Sequence, residues 1–346
     1  MNVYGGIMQI EQLRKAKVKM SIVVPAYNAE KFLPECIENL VDQTFFDIYG
    51  EDSMELIFVD DKSTDDTLEI LRKFENQYSP KMKVYENPVN GGPGGARNLG
   101  ISKASGVYIG CVDADDIADK TMFEKLYKAA VRDDLYADMV DSGADLEELG
   151  VKAILTRESD CGEVTDDTRS YLIANLGFPW TRIYRRDFLD ENNIKYRENV
   201  ILEDNDFLIE VIAKIKTLAL VPEILYFYRN DPESICKRDA EVSFFEMNVK
   251  CIRAIYEKTH LLENYSSIRD AVEMQIWDTA YRTVYNIDEL YRLGGIDEAF
   301  MDKMLGILRN EVVRCVTSRP EDNCYVAANG SKEVIDRLGT FIQGRI

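Results

Sequence analysis

The chain has 346 residues, of which 46% are hydrophobic and 30% are charged, a balance typical of globular proteins rather than of disordered or membrane proteins. Its formal net charge of −20 disfavours nucleic acid as the main partner, because phosphate binding requires a basic surface. A chain of this length is expected to form two domains, since single hydrophobic cores stop growing at about 250–300 residues.

The cysteine and histidine content makes several kinds of functional site improbable. The seven cysteines include no CxxC pair, which favours the reduced thiols of a cytoplasmic protein over a disulfide framework. His260 is the single histidine, so histidine-based zinc sites and Ser-His-Asp triads are disfavoured, and carboxylates are expected to carry any acid–base chemistry. The first residues lack the apolar core of a signal peptide, and no apolar run reaches the roughly 18 residues that span a bilayer. These features predict a cytoplasmic protein without a transmembrane segment, either soluble or peripheral at the inner face of the membrane.

Strand-like and helix-like segments alternate from residue 20 to residue 133. Asn28 is available as the N-cap of the first helix, and Ser63 is expected to open the second. Such alternation predicts parallel strands joined by right-handed crossovers, and therefore an α/β sheet. The strand-like segments are 20–28, 54–61, 82–88 and 106–116, and the helix-like segments are 29–43, 63–78, 94–105 and 120–133.

The second half of the chain changes in character. Between residues 137 and 230 strand-like segments (137–144, 179–185 and 223–230) surround one helix-like segment, and after about residue 240 long helical patterns prevail. In these patterns Trp277, Tyr281 and Tyr285 recur every four residues, as expected for a domain core, for a helix–helix contact that could pair two chains, or for a platform that binds a ligand. The predicted organisation is an N-terminal extension (1–19), an α/β domain (20–238) and a helical domain (239–346).

Carboxylates follow the fourth strand-like segment in the sequence "GVYIGCVDADDIADK". Asp113, Asp115 and Asp116 lie within four residues, where they repel one another and are costly to bury unless a cation binds between them. A solvated turn that caps the next helix is the alternative. Because the other strand-like segments also end in polar residues, and ligands bind at the carboxyl ends of strands in such sheets, the pattern favours a divalent-metal site.

Four segments together resemble inverting family-2 glycosyltransferases of the GT-A fold. They are "SIVVPAYNAEKFLPECIENLVDQTF", "ELIFVDDKSTDDT", "NGGPGGARNLGISKASGVYIGCVDADD" and "LEDNDF", and the resemblance covers about residues 20–230. It implies a Rossmann-like, mostly parallel sheet flanked by helices. It also implies inverting transfer of a sugar from a nucleotide-sugar donor, expected to be UDP-linked, to a hydroxyl of a glycan or lipid-linked glycan. The family's commonest setting is the synthesis of bacterial polysaccharides and surface glycans.

The resemblance assigns the acidic strand end to a DxD-type motif. It implies that Asp115 binds Mg²⁺ or Mn²⁺ directly and that Asp113 contacts the metal or the ribose, with Ala114 beside the donor. Asp116 would support either role or cap the following helix.

The same resemblance assigns further donor contacts. Asp61 would accept a hydrogen bond from the uracil ring, with Asp60 as an orienting partner. The remaining contacts are Pro25, Ala26 and Tyr27, which would line the nucleotide pocket, and Arg97, which would lie near the base or the diphosphate.

The acceptor side is implied by "LEDNDF" and by the region around Trp180. Asp204 would be the catalytic base, with Glu203 beside it as an acceptor contact, and Trp180 would either contact the acceptor or pack in the core. Two departures from the family pattern stand out. Thr181-Arg182 replaces a frequent Asn-Lys pair, and the histidine that some relatives place after the last strand as a metal ligand is missing. Either the metal is held by fewer protein ligands, or Lys237 and Arg238 act on the diphosphate.

Three other functions remain as alternatives. The glycines of "GGPGGARN" suggest the dinucleotide loop of a nicotinamide dehydrogenase, but Arg97 stands where the third glycine of that fingerprint belongs. A sugar nucleotidyltransferase would carry a glycine-rich basic signature after the first strand, which "PAYNAEKF" lacks. A non-catalytic GT-A-fold binding or scaffold protein is the third alternative, and the intact Asp113, Asp115 and Asp204 argue against it.

Overall fold

The structure is a computed structural model that describes residues 13, 15–146, 150–229 and 242–344. Lys237 and Arg238 therefore lie outside the described residues. The described chain folds into two compact units. Of the described residues, the first unit comprises those up to 164, 177–200 and 214–229, and the second comprises 165–176, 201–213 and 242–344.

All strands of the described residues belong to the first unit and form one sheet. They are β1 (Met20–Ala26), β2 (Met54–Asp60), β3 (Met82–Glu86), β4 (Tyr108–Cys111), β5 (Ile117–Ala118), β6 (Met139–Leu146), β7 (Val151–Ala153), β8 (Gly162–Glu163), β9 (Ile183–Arg185) and β10 (Thr217–Phe227).

The sheet has the order β3-β2-β1-β4-β9-β6-β10-β5, with β7 paired to β6 and β8 paired to β10. Strands β1 to β4 are parallel, whereas β9 runs antiparallel to both β4 and β6. Every residue of β2 and nearly every residue of β1 is buried, as expected for parallel strands whose two faces are both covered. The prediction of a mixed, mostly parallel sheet is confirmed.

The α-helices of the described residues are α1 (Leu33–Val41), α2 (Thr44–Tyr49), α3 (Thr67–Tyr78), α4 (Gly92–Lys103), α5 (Met122–Ala130), α6 (Asp166–Ala174), α7 (Arg186–Glu191), α8 (Glu203–Lys214), α9 (Val242–Thr259), α10 (Tyr265–Arg292), α11 (Glu298–Cys315), α12 (Cys324–Asn329) and α13 (Lys332–Ile342). None of them is both long enough and apolar enough to cross a membrane.

Helices α1 and α3 begin later than the sequence predicts. Helix α1 follows Phe32 rather than Asn28, and no side chain caps it. Asn28 has a positive φ of 48°, and its side-chain oxygen accepts a hydrogen bond from the backbone N–H of Thr64 at 2.8 Å. Ser63 accepts a hydrogen bond from the Asn28 N–H at 3.1 Å. The two expected caps therefore join the loops after β1 and β2 to each other.

Helix α4 lies close to β1 because Gly100 has no side chain. A Cβ at this position would lie 2.3 Å from Cγ1 of Val23, which is fully buried on β1. Only glycine permits this approach, which sets the position of the helix that carries Arg97.

The second unit is helical, as predicted for the C-terminal part of the chain. It contains α9 to α13, and it also includes α6 and α8, which the sequence pattern placed with the α/β domain. Helix α6 contacts α10 through a hydrogen bond from Gln275 Nε2 to the carbonyl of Ile173 at 2.6 Å. Trp277 is buried whereas Tyr285 is exposed, so the aromatic stripe is only partly core. The predicted boundary at 238/239 falls among undescribed residues and stays a prediction.

Candidate active site at the carboxyl end of the sheet

Polar loops meet at the carboxyl ends of β1, β2 and β4. The backbone N–H of Asp61 donates to the carbonyl of Ala26 at 2.8 Å, which holds the loops after β1 and β2 together. Ala26 is buried, Pro25 is partly buried, and Tyr27 is 47% exposed. The three predicted wall residues therefore lie at this edge of the sheet, with an aromatic face open to solvent.

Asp61 organises the glycine-rich loop that leads into α4. Its Oδ1 atom accepts hydrogen bonds from Asn87 Nδ2 at 2.6 Å and from the Gly91 N–H at 2.9 Å. The side chain of Asn90 also donates to the Asp61 carbonyl at 3.0 Å. The sequence predicted that Asn87 ends the third strand at this polar edge, but it did not identify Asn87 or Asn90 as partners of Asp61, because no sequence pattern connects these residues. The contact of Asp61 with a nucleobase stays a prediction.

Arg97 links α4 to the end of β4. Its Nη2 atom lies 2.8 Å from Asp113 Oδ1, and its guanidinium lies 5.4 Å from the ring centre of Tyr196. The arginine side chain is almost fully buried, whereas that of Asp113 is partly exposed. A buried guanidinium stays charged, so the pair places a fixed positive group beside the acidic strand end.

The three carboxylates of the acidic strand end have different surroundings. Asp115 is partly exposed, and Ala114 before it is buried. Asp116 is 1% exposed, and it accepts hydrogen bonds from the Tyr226 hydroxyl and from the Arg229 N–H, both at 2.8 Å. Burial raises the pKa of Asp116 to about 8, and the charges of Asp113 and Asp115 add to the rise. Helix α5 begins after Thr121 without a side-chain cap, so Asp116 does not cap it.

The carboxylates of the acidic strand end can be compared with the ligands that a divalent metal ion requires. Within the described parts of the chain, no three Asp, Glu, Cys or His side chains form a ready metal cluster. Hard cations such as Mg²⁺ need only one or two carboxylates when water and phosphate oxygens complete the shell. Asp115 and the Asp113 oxygen that is not bonded to Arg97 fit that requirement.

The predicted catalytic base lies in the second unit. Glu203 and Asp204 form the first turn of α8, directly after Leu202, whose φ is 59°. Asp204 Oδ1 accepts a hydrogen bond from the Asn205 N–H at 3.0 Å, and Glu203 is buried.

A buried ion-pair network lies on the same helix. Asp206 is fully buried and pairs with Lys258 of α9 at 2.8 Å, and Lys258 also lies 3.1 Å from Glu210. The sequence pattern of α8 gave no sign of this partner.

Trp180 packs in the core of the first unit. It is 6% exposed, and it stacks on Phe178 and on Tyr226, with ring centres 4.4 and 4.2 Å apart. Of the two predicted alternatives, the structure shows core packing, and an acceptor contact stays a prediction. The neighbouring Thr181 donates to Asp141 Oδ1 at 2.8 Å, and the buried Arg182 pairs with the same carboxylate at 3.2 Å.

The comparisons with known proteins decide the family. The model of the Glycosyl transferase family 2 matches residues 21–192. The chain belongs to this family. The glycosyltransferase EpsJ of Bacillus subtilis, which is named as uncharacterized, is 30% identical over 228 residues, or 62% of each chain. The poly(ribitol-phosphate) beta-N-acetylglucosaminyltransferase TarS of Staphylococcus aureus is 30% identical over 252 residues, or 70% of this chain and 42% of TarS.

A poly(ribitol-phosphate) beta-glucosyltransferase of Bacillus spizizenii is 30% identical over 226 residues, or 65% of this chain and 33% of its own length. The alignments thus cover 62%, 33% and 42% of the lengths of these three relatives, in each case less than two thirds.

Solved structures confirm the predicted GT-A fold. TarS 1–349 of S. aureus in complex with UDP-GlcNAc has a TM-score of 0.65 at 22% identity, with 94% of this chain and 91% of that chain covered. The mannosyltransferase PcManGT of Pyrobaculum calidifontis, in complex with GDP-Man and Mn²⁺, has a TM-score of 0.51 at 12% identity, with 98% and 95% covered.

Proposed function

We propose that this protein transfers a sugar from a UDP-linked donor to a hydroxyl of a glycan or lipid-linked glycan, with inversion, in the synthesis of a bacterial surface glycan. The main evidence for this proposal lies at the carboxyl end of the sheet. There Asp61 is hydrogen-bonded to the glycine-rich loop that leads into α4, and Arg97 of α4 pairs with Asp113 of the acidic strand end. Family membership and the UDP-GlcNAc bound by TarS support the donor class.

In this proposal Asp115 and Asp113 hold Mg²⁺ or Mn²⁺, and the Mn²⁺ present in PcManGT supports a divalent ion. When bound, the cation supplies Lewis-acid stabilisation of the charge on the leaving diphosphate. Arg97 contributes a permanent positive charge at the same edge and keeps Asp113 oriented. Asp61 holds the glycine-rich loop in place, where the absence of side chains lets a ligand approach the backbone.

The acceptor hydroxyl must lose its proton as it attacks the anomeric carbon. We assign the proton to the carboxylate of Asp204 and an acceptor contact to Glu203. A positioned carboxylate contributes about 10²–10⁴-fold to such a step.

The donor site is tested by thermal unfolding with UDP-, GDP-, CDP- and TDP-sugars, in Mn²⁺ or in EDTA. A bound donor at a hundredfold excess over Kd should stabilise the protein by about 2.7 kcal/mol. The shift should require Mn²⁺, should vanish in Asp115→Ala, and should persist in the control Asp47→Ala, which removes an exposed carboxylate from α2. No shift with any nucleotide would overturn the proposal.

Turnover separates an enzyme from a binding protein that has the same fold. Release of UDP from the donor should be measured for the wild type and for Asp204→Asn. We expect Asp204→Asn to keep the donor-induced stabilisation and to lose about a hundredfold or more of the UDP release. Equal release by both proteins would remove Asp204 from the mechanism.

A further inference from the structure

One tyrosine hydroxyl joins two points of the acidic strand end. Tyr226 of β10 is fully buried, and its oxygen accepts a hydrogen bond from the backbone N–H of Asp113 at 3.1 Å. The same hydroxyl donates to Asp116 Oδ2 at 2.8 Å. A single group therefore fixes the first and the last of the three aspartates to a strand that lies more than a hundred residues later in the chain.

The other oxygen of Asp116 is also occupied. Its Oδ1 atom accepts the backbone N–H of Arg229 at 2.8 Å, and the Asp116 N–H donates to the Asp113 carbonyl at 3.1 Å, which closes a turn. Both carboxylate oxygens of Asp116 thus bind protein donors at the end of β10. Asp116 is also almost fully buried, whereas its neighbour Asp115 is partly exposed.

The ring of Tyr226 is held as firmly as its hydroxyl. Trp180 stacks on it with ring centres 4.2 Å apart and an angle of 23° between the planes. The Trp180 ring in turn stacks on Phe178. The hydroxyl therefore has little freedom to follow a moving loop, and it acts as a fixed point for the turn.

We propose that Asp116 and Tyr226 are positioning residues of the donor site, which hold the turn from Asp113 to Asp116 so that Asp113 and Asp115 can bind the metal–diphosphate unit. This inference rests on the proposed function. The carboxylates of Asp113 and Asp115 repel each other, and an untethered turn would relax by spreading them apart. The hydrogen bonds from β10 oppose that relaxation without placing Asp116 on the metal.

Two substitutions separate positioning from metal ligation. In Tyr226→Phe the stacked ring remains, but the Asp113 N–H and one Asp116 oxygen lose their partner. In Asp116→Asn the amide oxygen can still accept from Arg229, and the amide nitrogen can donate to the Tyr226 oxygen, so the turn stays linked to Tyr226 and Arg229, although the Tyr226 proton loses its acceptor. A positioning role therefore predicts greater damage from the first change than from the second.

Calorimetric titration of UDP at a series of Mn²⁺ concentrations gives both the UDP Kd and the Mn²⁺ concentration at half-saturation. We expect Tyr226→Phe to raise both by about tenfold, because the turn loses its two hydrogen bonds to the Tyr226 hydroxyl. Asp116→Asn should stay within about threefold of the wild type, while Asp115→Asn should abolish the dependence on Mn²⁺. The matched control is Tyr108→Phe, which removes another buried hydroxyl, bonded to the Ala137 carbonyl at 3.0 Å, from the same sheet.

Each other outcome has a defined meaning. If Asp116→Asn is as damaging as Asp115→Asn, Asp116 is a ligand and the proposal is overturned. If Tyr226→Phe and Tyr108→Phe lose similar stability in urea and neither changes the Mn²⁺ half-saturation, Tyr226 is only structural, and the proposal also fails. If the wild type shows no Mn²⁺-dependent UDP binding, the proposed function is wrong, and the positioning proposal fails with it. The wild-type titration therefore distinguishes this failure from a failure of the positioning proposal alone.

Discussion

Gly100→Ala tests how closely the helix that carries Arg97 approaches the sheet. The new methyl group would lie 2.3 Å from Val23 Cγ1, 3.2 Å from Cγ2 and 3.3 Å from Cβ. Rotation of the valine side chain would move Cγ1 but not Cβ, and because Val23 is fully buried it would push the methyl groups against other core atoms. Overpacking of this kind costs about 1–3 kcal/mol, and the overlap here belongs at the upper end. The higher helix propensity of alanine stabilises the helix by about 1 kcal/mol relative to glycine and offsets part of this cost. We expect a net loss of about 2 kcal/mol in the free energy of unfolding of the first unit.

Urea unfolding followed by tryptophan fluorescence measures this loss, since each unit contains one of the two tryptophans, Trp180 and Trp277. The matched control is Gly306→Ala in α11, where a Cβ meets nothing within 4 Å and a gain of about 0.4–1 kcal/mol is expected. Adding Val23→Ala to Gly100→Ala should recover part of the loss. A Gly100→Ala protein that is as stable as the wild type would refute the reasoning.

Two further substitutions test buried charges. Burial tends to raise the pKa of the Glu55 carboxyl, but hydrogen bonds from Lys83 and from two serines outweigh it and lower that pKa. Glu55→Gln should therefore cost about 2 kcal/mol at neutral pH, and the difference from the wild type should shrink as the pH falls below about 4.5 and through the folded-state pKa. A constant difference between pH 7 and pH 3 in urea unfolding would contradict this. Lys258→Met leaves two buried carboxylates of α8 without their cation and should cost about 3–5 kcal/mol in the Trp277 transition. Arg282→Met, which breaks an exposed pair, should cost less than about 1 kcal/mol, and equal losses in the two variants would disprove the role of burial.

The sequence predicted the elements that depend on local pattern. Continuous apolar runs identified β1 and β2. Because the carboxyl ends of parallel strands meet at one edge of the sheet, the sequence also predicted that Asp61 and Asp113 would lie at the same edge. The family resemblance added roles that no periodicity contains.

The remaining features depend on partners that are distant in the chain. Tyr226 lies 110 residues after Asp116, and no spacing rule connects them. Asn28 was expected to cap α1, but a backbone N–H 36 residues later competes for its side chain. The spacing around Trp180 likewise could not distinguish a ring that faces a ligand from one that stacks on the core.

The way in which the chain passes between the two units has a consequence for biosynthesis. Four such passages occur before residue 230, at 164/165, 176/177, 200/201 and 213/214. Helix α6 is hydrogen-bonded to α10 by residues that are 97 and 102 positions apart, so α6 leaves the ribosome long before its partner exists. A nascent chain that has just completed β10 therefore contains α6 but not the helix to which α6 is hydrogen-bonded. The helical unit cannot be completed before α10 has been synthesised, and α6 stays without its packing partner until then, a state that favours aggregation.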